Sequence, residues 1–117
     1  MVKWTGEAIR SEMRFGKMLK AEQGDILKIN SIQHPVIVVS KNFFNESGLV
    51  MACPILPDAI HGPLRIWCES IRNPGFVYCE QLRIVDLNSR RFSKIDSVSY
   101  GELIDIVDAI QSIFDYV

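Results

Sequence analysis

Short apolar runs of strand length, separated by turn-forming residues, occupy the middle of this chain. Between Gly24 and Asp86, short apolar runs are bounded by Gly, Pro, Asn or Asp, which is typical of buried β-strands joined by tight turns. Short links of this kind favour an antiparallel barrel over βαβ units. The pattern predicts strands at 26–29, 36–39, 49–55, 64–68 and 76–85.

Helical spacing is found at the two ends of the chain. Ser99 and Glu102 fit a capping box, in which each side chain binds a backbone N–H of the other residue. A one-faced apolar stripe follows at positions 103, 106, 107, 110, 113, 114 and 117, so we predict a C-terminal helix. A second helix is predicted over residues 5–20, with Ile9 and Met13 on its apolar side.

These elements predict a single α+β domain over residues 1–117 that is mainly β. Residues 1–22 form an N-terminal helical extension in this interpretation, and residues 24–117 form a small barrel with a C-terminal helix. A length of 117 residues is enough for one buried core. A net charge of −1 excludes a polycation that coats nucleic acid, although the acidic stretch 96–117 leaves room for a local positive groove elsewhere.

The cysteines and the hydropathy pattern indicate a cytoplasmic protein. Cys53, Cys68 and Cys79 are odd in number and form no CxxC pair, so we expect reduced, buried thiols rather than disulfides. The spacing of these cysteines and of the two histidines matches no common metal site. The first residues lack the apolar core of a signal peptide, and no apolar run is long enough to span a membrane.

One histidine and one polar cluster in the strand region carry residue types suited to acid–base chemistry on phosphate. His34 opens the strand at Val36, and a histidine can exchange a proton near neutral pH. Glu80, Gln81 and Arg83 interrupt an apolar strand with an acid, an amide and a guanidinium, and arginine binds phosphate through two hydrogen bonds. The alternative is structural: His34 binds a nearby carbonyl, and Glu80 pairs with Arg83 or another neighbour.

Aromatic residues after the second strand have two interpretations. Phe43 and Phe44 would stack RNA bases if they were exposed. Adjacent phenylalanines at a strand end more often close the end of a barrel, and we favour that interpretation. Trp67 and Tyr78 are likewise assigned to the core or to an interface.

An ordered set of short segments resembles the MazF/PemK family of growth-inhibitor toxins. The set comprises Gly24-Asp25, the strand from His34-Pro35 to Ser40, Cys53-Pro54-Ile55, Glu80 to Asp86, and the terminal helix. The resemblance covers residues 24–117 and implies an SH3-like barrel of the CcdB/PemK type that forms a homodimer. It also implies a metal-independent endoribonuclease that cleaves single-stranded RNA through 2′-OH attack and is neutralised by an antitoxin, with no cofactor.

The resemblance also implies site residues. Glu80 matches a position held by Asp in some members, where it is proposed as the general base, and Arg83 matches a position usually filled by Arg or Lys. Our own hypothesis is that His34 and Glu80 replace the family's usual groups as an acid–base pair. Glu80 would then take the proton from the 2′-OH, His34 would protonate the leaving oxygen, and Arg83 would hold the phosphate. His34 and Leu56 stand where the family typically has Arg and often has Thr or Ser. The candidates for RNA binding are Lys41, Asn42, Arg65 and Gln81.

Two other functions fit the same residues. The chain would bind RNA or a partner protein without cutting if the altered positions have removed catalysis. It would also fit a CcdB-like poison of a protein target such as gyrase, because one fold serves several functions.

Overall fold

The computed structural model describes residues 20–58 and 62–114. The predicted N-terminal helix lies outside these ranges, apart from Lys20. The described strands are β1 (Asp25–Ile29), β2 (Val36–Val38), β3 (Leu49–Leu56), β4 (Arg65–Cys68), β5 (Gly75–Tyr78), β6 (Arg83–Asp86) and β7 (Phe92–Ser97). The helices are α1 (Asn42–Asn45) and α2 (Tyr100–Ser112), and 3₁₀ turns span Cys79–Gln81 and Leu87–Ser89. No helix in these ranges is long and apolar enough to cross a membrane.

All described strand pairs are antiparallel, as the short links predict. The strands run in the order β4-β5-β3-β2-β1-β7, and β6 pairs with the other half of β3. Within the described residues β4 and β7 are not paired with each other, so the sheet is open. The α+β class and the mainly antiparallel sheet are confirmed, whereas the expected closure into a barrel is not observed.

The core consists of two clusters on the two faces of the sheet. Alternate residues of β1 and β2 point to opposite faces, which is why both strands are apolar almost throughout. Ile26, Ile37 and Ile106 belong to the cluster beneath α2. Leu27, Val36 and Val50 belong to the second cluster. Val36, Ile37 and Val38 are all buried, so β2 is covered on both faces.

Strand β7 was not predicted from the sequence. Phe92 and Ile95 lie three positions apart among polar residues, so they show no strand alternation. The pairing explains this, because Ile26 pairs with Asp96 and Leu27 pairs with Lys94, which leaves an irregular step at residue 95. The buried Asp25 carboxylate ties β1 to this strand through an ion pair of 3.1 Å with Nζ of Lys94.

Helix α2 begins as predicted, but only half of the capping box forms. Ser99 Oγ accepts a hydrogen bond from the Glu102 N–H at 3.3 Å. Glu102 does not bind the Ser99 N–H in return, because the Oγ of Ser70 accepts that hydrogen bond at 3.0 Å. The Glu102 carboxylate instead accepts the N–H groups of Glu69 and Ser70, at 2.9 and 3.2 Å, and so fixes the loop after β4 against the helix.

A tight turn at Asn45–Gly48 leads into β3. Gly48 N–H donates to the Asn45 carbonyl at 2.9 Å, and Gly48 has a φ of +89°. A side chain at Gly48 would overlap Asn88, whose amide donates to the Ser47 carbonyl at 3.0 Å. Glycine is therefore required both by the backbone angle and by the lack of space.

Candidate active site

An open cavity of about 260 Å³ lies where β2 begins and β3 ends. Hydrogen bonding between Ile55 N–H and the Pro35 carbonyl, at 2.9 Å, sets His34 beside the end of β3. Three of the predicted site residues, His34, Gln81 and Arg83, line this cavity. The full lining is Ile32, Gln33, His34, Pro54, Leu56, Gln81 and Arg83.

A break in the predicted fifth strand brings Gln81 and Arg83 to the cavity. The sequence predicts one strand over 76–85, but β5 ends at Tyr78 and β6 begins at Arg83. Ile55 of β3 pairs with Val77, and Ala52, three residues earlier in β3, pairs with Arg83. The paired segment therefore advances by six residues where β3 advances by three. The additional three residues form the 3₁₀ turn Cys79–Gln81, and the single-strand prediction is therefore wrong.

Burial of Cys79 explains the position of this turn. The Cys79 N–H donates to the Leu64 carbonyl at 3.0 Å, and the side chain is fully buried beneath α2. Leu82 packs against the same cluster on the other side of the turn. Because Cys79 and Leu82 both pack inward, Glu80 and Gln81 are exposed between them.

Glu80 is paired with Arg65 and does not line the cavity. Nε and a terminal nitrogen of Arg65 donate to the same oxygen of Glu80, at 2.9 and 2.7 Å. These hydrogen bonds lower the pKa of the Glu80 carboxyl. The Arg65 guanidinium also lies 4.3 Å from the ring centroid of Tyr78. The structure therefore agrees with the alternative in which Glu80 pairs with a neighbour, and that neighbour is Arg65 rather than Arg83.

The remaining RNA-binding candidates lie away from the cavity. Lys41 and Asn42 follow β2, whereas His34 precedes it. Lys41 is exposed, and Oδ1 of Asn42 accepts a hydrogen bond from the Gln23 N–H at 2.9 Å. Phe43 is 75 % exposed, so the expectation that it closes the end of a barrel is wrong. Its exposure follows from α1, a single helical turn that directs it away from the sheet.

The three cysteines are free and buried, as predicted. Burial raises the pKa of Cys53 and of Cys68 to about 12, and that of Cys79 to about 11. Protonated, inaccessible thiols are poor nucleophiles and poor metal ligands. Within residues 20–58 and 62–114, no three His, Cys, Asp or Glu side chains group closely enough to hold a metal ion.

Sequence reasoning missed the ion pair between Arg65 and Glu80 as well as several lining residues. Asn73-Pro74-Gly75 predicts a turn between two strands, and the resulting register places Arg65 opposite Tyr78. This register brings Arg65 close to Glu80, so the turn sequence is the signal from which the ion pair could have been predicted. Ile32, Gln33 and Pro54 also line the cavity and were not identified from the sequence.

Comparison with solved structures shows the fold of this chain. The MazE–MazF complex of Deinococcus radiodurans contains a chain that superposes with a TM-score of 0.76 at 22 % identity, over 82 % of this chain and 97 % of that chain. An endoribonuclease in complex with its cognate antitoxin, from a Mycobacterial species, gives a TM-score of 0.72 at 14 % identity, over 83 % and 99 %. No curated protein sequence matches the chain significantly.

The sequence itself also matches a family model. The match covers residues 22–114, which is most of the chain, and the family is described as the PemK-like, MazF-like toxins of type II toxin–antitoxin systems. The chain therefore belongs to this family of PemK-like, MazF-like toxins.

Proposed function

We propose that this protein is a toxin that cleaves single-stranded RNA without a metal ion, through attack of the ribose 2′-OH. One observation carries the proposal: His34, Gln81 and Arg83 converge on one cavity in a chain of the PemK-like, MazF-like family. An imidazole, an amide and a guanidinium supply proton transfer, base recognition and phosphate binding in one place. Solved structures of the same fold include proteins named as endoribonucleases.

In the proposed reaction, Arg83 binds the non-bridging oxygens of the scissile phosphate. Glu80 accepts the proton of the 2′-OH as the 2′ oxygen bonds to phosphorus. The bond from phosphorus to the 5′ oxygen breaks, and His34 donates a proton to that oxygen. The products are a 2′,3′-cyclic phosphate and a 5′-hydroxyl. Arg83 stabilises the negative charge that develops on phosphorus oxygens, an interaction worth about 10²–10³ in rate for a single donor.

The ion pair between Arg65 and Glu80 favours a second candidate function. A carboxylate with a lowered pKa is a weaker base, and Glu80 must leave Arg65 before it reaches a substrate in the cavity. Leu56 lines the cavity with an apolar side chain, where the family resemblance leads us to expect a hydroxyl. Both features fit a protein that binds RNA or a partner protein without cutting it.

The proposal extends to partners and location. We infer that an antitoxin binds this chain, since similar solved structures are described as MazE–MazF and as an endoribonuclease with its cognate antitoxin. We infer also that the chain forms a homodimer and acts in the cytoplasm on single-stranded RNA. Lys41, Asn42 and Arg65 are proposed to bind RNA outside the cavity, and Gln81 within it.

The test is incubation of the purified protein with a long RNA in EDTA, followed by mapping of the new 5′ ends. We expect discrete cuts with cyclic phosphate ends. The variants Glu80→Gln and His34→Ala should lose this cleavage, and Arg90→Gln, which alters an exposed arginine away from the cavity, should retain it. Intact RNA at high concentrations of the unaltered protein would reject the nuclease, and RNA binding without cutting would support the second candidate function.

A further inference from the structure

A larger cavity lies on the opposite face of the sheet from His34. Its volume is about 390 Å³, which falls within the range of small-ligand sites. Pro35 lines it, while His34, the preceding residue, lines the candidate active site. On β3, Ile55 lines the larger cavity, and Pro54 and Leu56 line the smaller one. Neighbouring residues of these two segments therefore line different cavities.

The lining of the larger cavity combines an apolar floor with a cationic rim. Ile26, Ile55 and Ile71 form the floor, and each is almost fully buried. The charged residues are Lys28, Arg72 and Asp96. Within the described part of the chain, neither Lys28 nor Arg72 forms an ion pair through its side chain. Two cations against one carboxylate give the rim a net positive charge.

Asp96 holds the rim in position. One of its oxygens accepts the Arg72 N–H at 2.6 Å, and the other accepts the Ser97 N–H at 2.8 Å. The carboxylate thereby fixes the loop that carries Arg72 and Asn73 beside β7. Asp96 keeps its negative charge, which offsets one of the two cations, so Lys28 and Arg72 together leave a net positive charge for an anionic ligand.

We propose that this second cavity binds one nucleotide of the same single-stranded RNA that enters the candidate active site. Lys28 and Arg72 hold a phosphate, the isoleucine floor receives the base, and the Asn73 amide offers both a donor and an acceptor to the base edge. A strand that passes over the turn at His34 and Pro35 contacts both cavities. This inference rests on the proposed RNA substrate and adds a recognition site to it.

The experiment measures RNA binding with cleavage blocked by His34→Ala. A fluorescent 12-nucleotide single-stranded RNA is titrated at several salt concentrations, and binding is followed by anisotropy. The double variant Lys28→Gln/Arg72→Gln is compared with Arg90→Gln/Arg91→Gln, which removes two exposed charges elsewhere. Circular dichroism checks that both fold, as expected for exposed positions.

We expect the Lys28→Gln/Arg72→Gln variant to bind the RNA more weakly. Its plot of log K against log salt should also have a slope that is smaller in magnitude by about 0.7 for each lost phosphate contact. The Arg90/Arg91 variant should keep the original slope. Equal slopes and affinities in the two double variants would overturn the inference. This holds even if the His34→Ala parent binds RNA and the unaltered protein cuts it. Absence of RNA binding by the parent protein would instead reject the proposed function on which the inference rests.

A second measurement separates a nucleotide site from a general charge effect. In the cleaving protein, Asn73→Ala leaves the net charge unchanged but removes the amide from the cavity. We expect the set of cut sequences to change at a position adjacent to the cut. An unchanged set of cut sites would reject base recognition by this cavity.

Discussion

The Arg65 guanidinium donates two hydrogen bonds to a single oxygen of Glu80, at 2.9 and 2.7 Å. Both side chains are partly exposed, so the strength of this ion pair is reduced by solvent. Its effect on reactivity is nevertheless direct, because it lowers the pKa of the carboxyl group that the proposed reaction uses as a base. Besides the RNA contact proposed for it above, Arg65 thus lowers the basicity of Glu80.

Replacing Arg65 with Gln should change the pH dependence of RNA cleavage. The hydrogen bonds from Arg65 lower the pKa of Glu80, so their loss raises it. A base must be deprotonated, and the rate falls as pH drops through its pKa. We therefore expect the acid limb of the pH–rate profile to move to higher pH in Arg65→Gln. The measurement is the initial cleavage rate between about pH 3.5 and pH 8.

Arg90→Gln is the matched control for this profile, since it removes one exposed charge away from the cavity. Its acid limb should coincide with that of the unaltered protein. If the limb stays in place in Arg65→Gln as well, Glu80 is not the base. In that case Arg65 contributes only to binding or to packing on Tyr78.

At the scale of single residues, the site was predictable where it depends on strand ends. His34 was identified because it precedes a proline and a buried strand, and Gln81 and Arg83 because they interrupt an apolar run. The partner of Glu80 depends on the β4–β5 register and was not identified. The exposure of Phe43 was predicted wrongly, because the local pattern does not show that residues 42–45 form a single helical turn.

At the scale of elements, the start of α2 is joined to the loop after β4 by one carboxylate. Glu102 accepts hydrogen bonds from the N–H groups of Glu69 and Ser70, from the Ser70 hydroxyl, and from the Cys68 thiol at 3.4 Å. Burial raises the pKa of Glu102, but these hydrogen bonds outweigh burial and lower it overall. The carboxylate therefore stabilises the folded state while it is ionised.

Glu102→Gln should destabilise the protein by about 1.5–3 kcal/mol at neutral pH, the range for hydrogen bonds to a charged group. Because the folded-state pKa is lowered, this contribution is complete above the ordinary pKa of 4.5 and is lost as pH falls through the folded-state value. The difference in Tm between the variant and the unaltered protein should therefore shrink below about pH 4.5. Asp108→Asn, on the exposed face of α2, should show no such pH-dependent difference, and an equal effect in both variants would contradict this role of Glu102.

The elements were predictable where periodicity is regular and not where tertiary contacts interrupt it. Strands β1 to β4 lie within a residue or two of their predicted limits, and helix α2 begins where predicted but ends at Ser112, before the end of the predicted stripe. The turn at Cys79–Gln81 contains no Gly or Pro, and it forms because Cys79 and Leu82 are both anchored beneath α2. Strand β7 forms because it pairs with β1. The irregular step in that pairing removes the alternation of apolar and polar residues that would have indicated a strand.

At the scale of the whole molecule, the open sheet and α2 leave large apolar side chains exposed. Phe114 is 70 % exposed, Tyr100 is 77 % exposed and Ile104 is 42 % exposed. Tyr100 and Ile104 are four residues apart on α2, so they lie on the same side of the helix. Adjacent exposed apolar residues mark protein interfaces more often than isolated ones do.

We expect the homodimer to use this side of α2. The chain has a mass of 13.3 kDa, so light scattering should give about twice that mass for the unaltered protein. A charge at the centre of an apolar interface is buried without a partner, which is strongly unfavourable. Ile104→Glu should therefore shift the protein to the monomer mass at micromolar concentrations. Ile84→Glu, which places the same charge at an exposed site on β6, serves as the control and should remain a dimer. If Ile84→Glu dissociates the dimer and Ile104→Glu does not, the dimer interface includes β6 rather than this side of α2.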